Sequence, residues 1–445
     1  MVRVAHPVTR GSGSMATDVV VIGSGVVGAS IALELARRGR RVTVVDKAGS
    51  AGHGSTAASS AVVRFNFSTL ASVSAAWEAH FAWRSWAEHL GREVGDLARF
   101  ERCGLAMLDV PAAPRSMYLP LFKEVGVPFE EWSSADLAER IPGIDVGRYW
   151  PPKRIDDDLF WTAAEDTLGA VYTPDAGFVS DPALAAQNLA AAAKACGAEF
   201  RFHTTVHGVE RAHGRVTAVT CADARIPCGV VVNAAGPWST RINGLAGVGA
   251  DFTVTCRPLR QEVAHVAAPA GYRGTDGVGI SIADMDLGTY LRGEVGGGLL
   301  VGGTEPECDP LQWVDDPDAV TTHPTMPVFE AQVTRAARRL PELAIPNRAR
   351  GVVGVYDVAD DWTPIYDRTE LNGFYVAMGT SGNQFKNAPV VGKFLAAIIE
   401  QTENGVDHDE RPARFVGEHT GLEIDLSAFS RKRPYNAENS GTVLG

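Results

Sequence analysis

The stretch Asp18–Asp46, DVVVIGSGVVGASIALELARRGRRVTVVD, narrows what this chain can fold into more than any other. Val19–Ile22 is a short, β-branched apolar run and predicts a buried parallel strand. Gly23, Gly25 and Gly28 follow at GxGxxG spacing. A helical pattern then runs from Val26 to about Arg38, with Val27, Ile31 and Leu35 on one face. Gly39 closes that helix. A second strand, Arg41–Val45, ends on Asp46. The three glycines act differently. Gly23 permits the tight turn, Gly25 lets backbone approach a pyrophosphate, and Gly28 lets helix and strand pack closely. The helix N-terminus offers N–H groups and a positive dipole end to phosphate. Asp46, about twenty residues on, can accept from a ribose hydroxyl. Strand, turn, helix, strand and acid together predict a dinucleotide site, without saying which dinucleotide.

The chain is long for one domain, at 445 residues, and its net charge of −12 argues against nucleic acid or an anionic membrane surface as a general partner. Its six cysteines show no CxxC pair and no metal-ligand spacing. They read as reduced, mostly buried thiols, with no metal, in a cytoplasmic protein. No apolar run reaches the length of a membrane span. Residues 1–17 read as a flexible extension, with Met15 a natural start.

Further along, a helix is predicted over about Val73–Leu90, with Trp77, Phe81, Trp83 and Trp86 as core packing. Leu137–Asp158 reads as irregular. Asp181-Pro182 caps a helix ending near Cys196, and Phe200–Val206 reads as a strand. Val231–Ser239, VVNAAGPWS, is either a strand end pressed against a ligand or a plain turn. Strand-like runs at Thr253–Val266, Gly277–Ile282, Gly288–Arg292 and Gly298–Val301 lack intervening helices and predict an antiparallel sheet. A helix near Pro327–Leu340 carries Arg335, Arg338 and Arg339, read as a solvated face. Gly351–Tyr356 reads as a strand, as does FYVAMG from Phe374, and Val390–Glu400 as a helix before a polar tail. The alternation predicts two domains crossed several times by the chain. The first takes 18–100, 165–250 and 345–405; the second takes 101–164 and 251–344; 406–445 is a C-terminal tail.

The glycine motif, GSTAASSAVVR, AGFVSDP, VVNAAGPW, GGLLVGGTE and FYVAMGTSGNQFKNAPVVGK occur in one order. As an ordered set they resemble FAD-dependent oxidoreductases of the D-amino acid oxidase superfamily, closest to the sarcosine oxidase, dimethylglycine dehydrogenase and glycine oxidase group. The resemblance implies an α/β FAD-binding domain, Rossmann-like and of glutathione-reductase type. It adds an α+β substrate domain with a mainly antiparallel sheet, and places the flavin where the two meet. It implies that Gly23, Gly25, Val26, Val27, Gly28, Asp46 and Lys47 hold the ADP half. Ser55 and Thr56 would lie against pyrophosphate and flavin, Val206 beside adenine, and Ala235 and Gly236 at a second backbone approach. Gly379, Gly382, Asn383, Gln384, Phe385 and Lys386 would lie under the flavin pyrimidine edge.

For catalysis the resemblance points to Arg64 and Lys386 as carboxylate anchors and to Tyr356 as the group that orients the substrate. A guanidinium fork and an ammonium point charge suit a carboxylate. The position that matches a flavin-linking cysteine of some relatives is Gly354, and His53 is offset from a flavin-linking histidine, so non-covalent FAD is implied. Leu300 matches a lysine that promotes reaction with oxygen, and Ala57 and Ala61 match polar pocket residues. The implied reaction is oxidation of an amine or amino acid, secondary or N-alkylated and carboxylate-bearing. Hydride passes to flavin N5 and the imine hydrolyses. The acceptor is oxygen or an electron carrier, and the oligomeric state is open. The alternatives are a dehydrogenase of a hydroxy acid or other small alcohol, or the flavin subunit of a hetero-oligomeric amine dehydrogenase.

Overall fold

A computed structural model describes residues 17–273 and 277–436. Most of the N-terminal extension and residues 437–445 of the tail lie outside these. Strand β1 (Val19–Ile22) is at the centre of a six-stranded sheet, between β2 (Val42–Val45) and the strand Val230–Asn233. The strands Glu199–Arg201 and Phe374–Met378 extend it in parallel, and Ile365–Arg368 adds one antiparallel edge. All four residues of β1 are buried, as a strand covered on both faces requires.

Helix α1 (Val26–Arg37) departs from the one-sided pattern expected of it. Val26 and every residue from Gly28 to Ala36 are buried, because the helix is sandwiched between the sheet and the helices Pro182–Ala195 and Ala388–Glu403. Only small residues allow such crowding. A Cβ on Gly392 would stand 2.5 Å from the Ser30 carbonyl oxygen, and one on Gly28 would stand 2.1 Å from that of Gly23.

The second layer is a nine-stranded sheet built on the long strand Cys256–Ala267, which pairs antiparallel with both Gly298–Gly303 and Gly351–Ala359. Its pairs are antiparallel apart from one: Ser281–Asp284 runs parallel to Leu105–Leu108. One face packs on the helix Met326–Arg339 through Phe329, Val333 and Ala336. The other face carries Tyr290 and Tyr356.

Several local expectations are corrected. The aromatic helix breaks at Ser85 into Leu70–Arg84 and Trp86–Leu90. The start of the stretch read as irregular, Leu137–Arg140, is instead the end of the helix Ser134–Arg140, which a capping box between Ser133 and Asp136 opens. Phe200–Val206 is not one strand: Glu199–Arg201 closes the central sheet, and Val206–Ala212 starts a separate three-stranded one. Five of the six cysteines are half-buried and only Cys228 is buried. Arg335 and Arg339 are not solvated but fully buried. Arg339 Nε donates to Asp284 at 2.7 Å and its Nη2 to Asp286 at 2.9 Å, while Arg335 grips Asp309. The polar tail is anchored too. Arg431 pairs with Asp251, Asp367 and Asp409, and Arg433 pairs with Asp361.

Candidate active site

A cleft of about 320 Å³ runs from the α1 N-terminus to the strand Gly351–Ala359. Its first part is built by the glycine turn. Gly23 has φ 101° and its Cβ position lies 2.4 Å from the Ala234 carbonyl oxygen, so no side chain is possible there. The turn is braced from behind: Asp46 accepts from Ser24 N at 2.6 Å, Ser24 Oγ at 2.7 Å and Ala48 N at 2.8 Å. Thr56 Oγ1 accepts from Val26 N at 3.1 Å, at the helix N-terminus itself. Ser55 Oγ donates to the Val355 carbonyl at 2.5 Å, tying this loop to the second sheet.

Of the residues expected at the cofactor, Gly23, Gly25, Val26, Val27, Asp46, Lys47, Ser55 and Thr56 line the cleft. So do Val206, Ala235, Gly236, Gly382, Gln384 and Phe385. Gly28, Gly379 and Asn383 line neither cavity. Gly28 sits behind the turn, Gly379 makes a left-handed bend at φ 66°, and Asn383 supports Lys386, whose Nζ donates to its carbonyl at 2.6 Å. His53 lines the cleft, whereas no cysteine lines either cavity.

A second, inner cavity of about 90 Å³ shares Ser59, Tyr356, Gly382 and Phe385 with the cleft. Arg64 and Lys386 both line it, and both cations face the Phe67 ring, at 5.0 and 5.2 Å from its centroid. The Arg64 guanidinium donates to the Asn66 carbonyl. Helix Leu70–Arg84 fixes Lys386 from outside: Trp83 Nε1 donates to the Lys386 carbonyl at 2.7 Å, and its ring stacks on Phe385. Trp83 is thus the core residue its helix predicted, and it also positions a site lysine. Gly382 lets the Tyr356 ring lie directly on the turn, because a Cβ there would meet the ring at 2.2 Å.

The electrostatics of the inner cavity are set by burial. It lowers the Arg64 guanidinium to about 10, against the opposing pull of Tyr356 and Glu305. It brings the Lys386 ammonium well below its ordinary value, helped by the Arg64 charge. It lifts the Tyr356 phenol, and it pushes the Glu305 carboxyl up to about 8 despite Arg64 and Gln261. A ligand that brings a negative charge would favour the protonated form of Lys386, against the burial and the Arg64 charge that lower it.

Several residues escaped the sequence reading. Asn66, two positions past Arg64, is buried and lines the inner cavity, and Tyr290 lines it from the strand Thr289–Gly293. Glu305 has φ 51° and accepts from Gln261 Nε2 at 3.0 Å through Oε1. Gln261 faces Gly354 across the sheet, so it shares a sheet face with Tyr356. Asp357, next to Tyr356, is buried in the cleft wall, with Oδ1 taken by Thr380 and Oδ2 free of partners among the described residues. Its position beside a site tyrosine was the only available signal. Trp238, Arg241 and Asp318 also line the cleft. Lys47 pairs with Asp318 and lies 3.7 Å above the Trp238 ring, while Arg241 reaches Asp318 at 3.1 Å and Asp316 at 2.9 Å.

These features suit FAD. A helix N-terminus and a side-chain-free turn stand at one end of the cleft. At the other, an orphaned Asp357 oxygen is ready to accept from a hydroxyl or ring N–H.

Comparison with known proteins gives a consistent picture. Residues 18–398 match the DAO family, described as FAD dependent oxidoreductase. The chain is similar to glycine oxidase of Geobacillus kaustophilus, at 26% identity over 407 residues, covering 88% of this chain and 94% of that one. It is similar to 4-methylaminobutanoate oxidase (formaldehyde-forming) of Paenarthrobacter nicotinovorans, at 25% identity, over 87% of this chain and 44% of that one. Among solved structures, L-proline dehydrogenase from P. horikoshii superimposes with a TM-score of 0.71 at 25% identity, covering 88% of this chain and 94% of that one.

Proposed function

The chain belongs to the DAO family of FAD-dependent oxidoreductases, and on that premise we propose that it oxidises a carboxylate-bearing amine or amino acid at the carbon next to nitrogen. The observation that carries this reading is the convergence of Arg64 and Lys386 on Phe67 in the inner cavity that shares Tyr356 with the cleft. Bound FAD supplies the acceptor for the hydride. This chain's own residues bind and orient the substrate. Arg64 offers two parallel N–H donors to the carboxylate and Lys386 adds a point charge. Tyr356 fixes the amine end, and the walls keep water from the reacting carbon. Gly23, Gly25, Val26 and Val27 would hold the cofactor's pyrophosphate, with Ser55 and Thr56 in the loop beside it and Asp357 toward its polar far end. The carboxylate requirement follows from the chemistry of the pair, a guanidinium and an amine that line one buried cavity and match a carboxylate in charge and shape. The names of the similar proteins, glycine oxidase and 4-methylaminobutanoate oxidase, support the same class of substrate.

The test is anaerobic bleaching of the protein's flavin absorbance by glycine, L-proline and 4-methylaminobutanoate, each beside its carboxamide counterpart. At least one acid should bleach the flavin, and its amide should do so about a hundredfold more slowly or not at all, the loss of roughly 3 kcal/mol expected for a charge-assisted pair. Bleaching by lactate or another hydroxy acid in preference to every amine would overturn the reading.

A further inference from the structure

Asn66 is 1% exposed, and it lines the inner cavity beside Arg64 and Lys386. Neither its amide nitrogen nor its amide oxygen has a hydrogen-bond partner among the described residues. Its backbone is occupied differently: the carbonyl accepts from the Arg64 guanidinium, which holds the residue in place and leaves the side chain to the cavity. Buried amides in folded proteins are paired with very few exceptions, and leaving one unpaired costs free energy that packing does not return. An amide presents one acceptor and two donors in a plane. A ligand that satisfies it must therefore bring both a donor and an acceptor.

We propose that Asn66 is the specificity-determining residue for the substrate's amine, accepting the substrate N–H at its Oδ1 while its Nδ2 donates to the carboxylate held by Arg64 and Lys386. This rests on the proposed amine oxidation and sharpens it. The reacting amine is the neutral form, whose nitrogen lone pair is free, and only interactions present with that form favour reaction. A neutral primary or secondary amine still has an N–H to give. A neutral tertiary amine has none, and it would leave Oδ1 buried and unpaired. The substrate class narrows to primary and mono-N-alkylated amino acids, including cyclic ones, with N,N-dialkylated analogues rejected. A site built to receive an N–H discriminates far more strongly than an apolar pocket does against one extra methyl group.

The experiment compares matched pairs by anaerobic stopped-flow bleaching of the flavin: N-methylglycine with N,N-dimethylglycine, and L-proline with N-methyl-L-proline. The expected preference of the unaltered protein for the N–H partner is about a hundredfold or more. Asn66→Leu, nearly isosteric, should reduce that preference to within a few-fold. The same variant supplies a readout that a structural role would move the other way. Removing an orphaned amide should leave Tm unchanged or raised, whereas an amide with a packing role would lower it. Asn66→Asp, which keeps the acceptor and loses the donor, should retain the N–H preference with a raised KM for the carboxylate. Equal bleaching by the two members of a pair, or an undiminished preference in Asn66→Leu, overturns the inference while the amine reading stands. Failure of every amine and amino acid to bleach the flavin overturns both.

Discussion

Glu305 sits at the end of the strand Gly298–Gly303 on a backbone at φ 51°, an uncommon conformation for a residue with a side chain. Its Oε2 is buried without a partner among the described residues, and burial lifts the carboxyl to about 8. The folded state therefore holds this proton more tightly than the unfolded chain does. The stabilisation is complete below the ordinary carboxyl value and is lost as pH rises through about 8. Glu305→Gln, which cannot ionise, should escape that loss. Between pH 6 and 8 the unaltered protein should lose about 2 kcal/mol more than the variant, read from unfolding in urea at each pH. Arg64 and Lys386 were legible because charge in a ligand loop is chemically suggestive and both lie in segments that resemble the family. Asn66 and Glu305 were not. A neutral amide in AVVRFNFST and an acid after a glycine pair look ordinary until the fold removes their water.

The helix Met326–Arg339 shows how an element can be right in position and misread in character. Its arginines looked like a polar face, yet Arg339 is buried between Asp284 and Asp286 and donates to the carbonyls of Asp145 and Gly147. The acids come from a turn far away in sequence, so no periodicity within the helix announced them. Even with Arg339 present, burial and the neighbouring Asp284 push the Asp286 carboxyl up to about 6. Arg339→Met should destabilise the protein by about 3–5 kcal/mol at neutral pH, because it strands two buried acids. The deficit should shrink toward pH 5 as one of them takes up a proton, an effect visible in denaturant midpoints at the two pH values. The glycine unit is the opposite case. Its strand, turn and second strand were readable because the local chain alone makes them, whereas α1's second buried face required the helix Ala388–Glu403 to arrive from the other end of the chain.

At the scale of the whole molecule, the two layers meet at the cleft and are also laced together across it. Lys47 and Arg241 of the first layer hold Asp318 and Asp316, which follow the short strand Gln312–Trp313 of the second. The partners are about half exposed, so each pair is weak and open to screening. Together they strap the cleft beside Trp238. Replacing both acids, Asp316→Asn with Asp318→Asn, should speed FAD release several-fold at low salt, followed by flavin fluorescence. The double variant should also lose most of the acceleration that added salt produces in the unaltered protein. The largely antiparallel sheet was legible as an alternation of patterns along the chain, but the lacing was not, since it joins surface charges that no spacing relates. The sheet order carries a consequence for biosynthesis. β1 is among the earliest strands made, yet its neighbour Val230–Asn233 comes from mid-chain, and that strand in turn pairs with Phe374–Met378. At about 5–20 residues per second, the emerging first strand waits tens of seconds for the sheet around it. During that wait β1 has Val42–Val45 beside it and nothing on its other edge, and no nascent chain stopped short of Met378 can complete the cofactor's cradle.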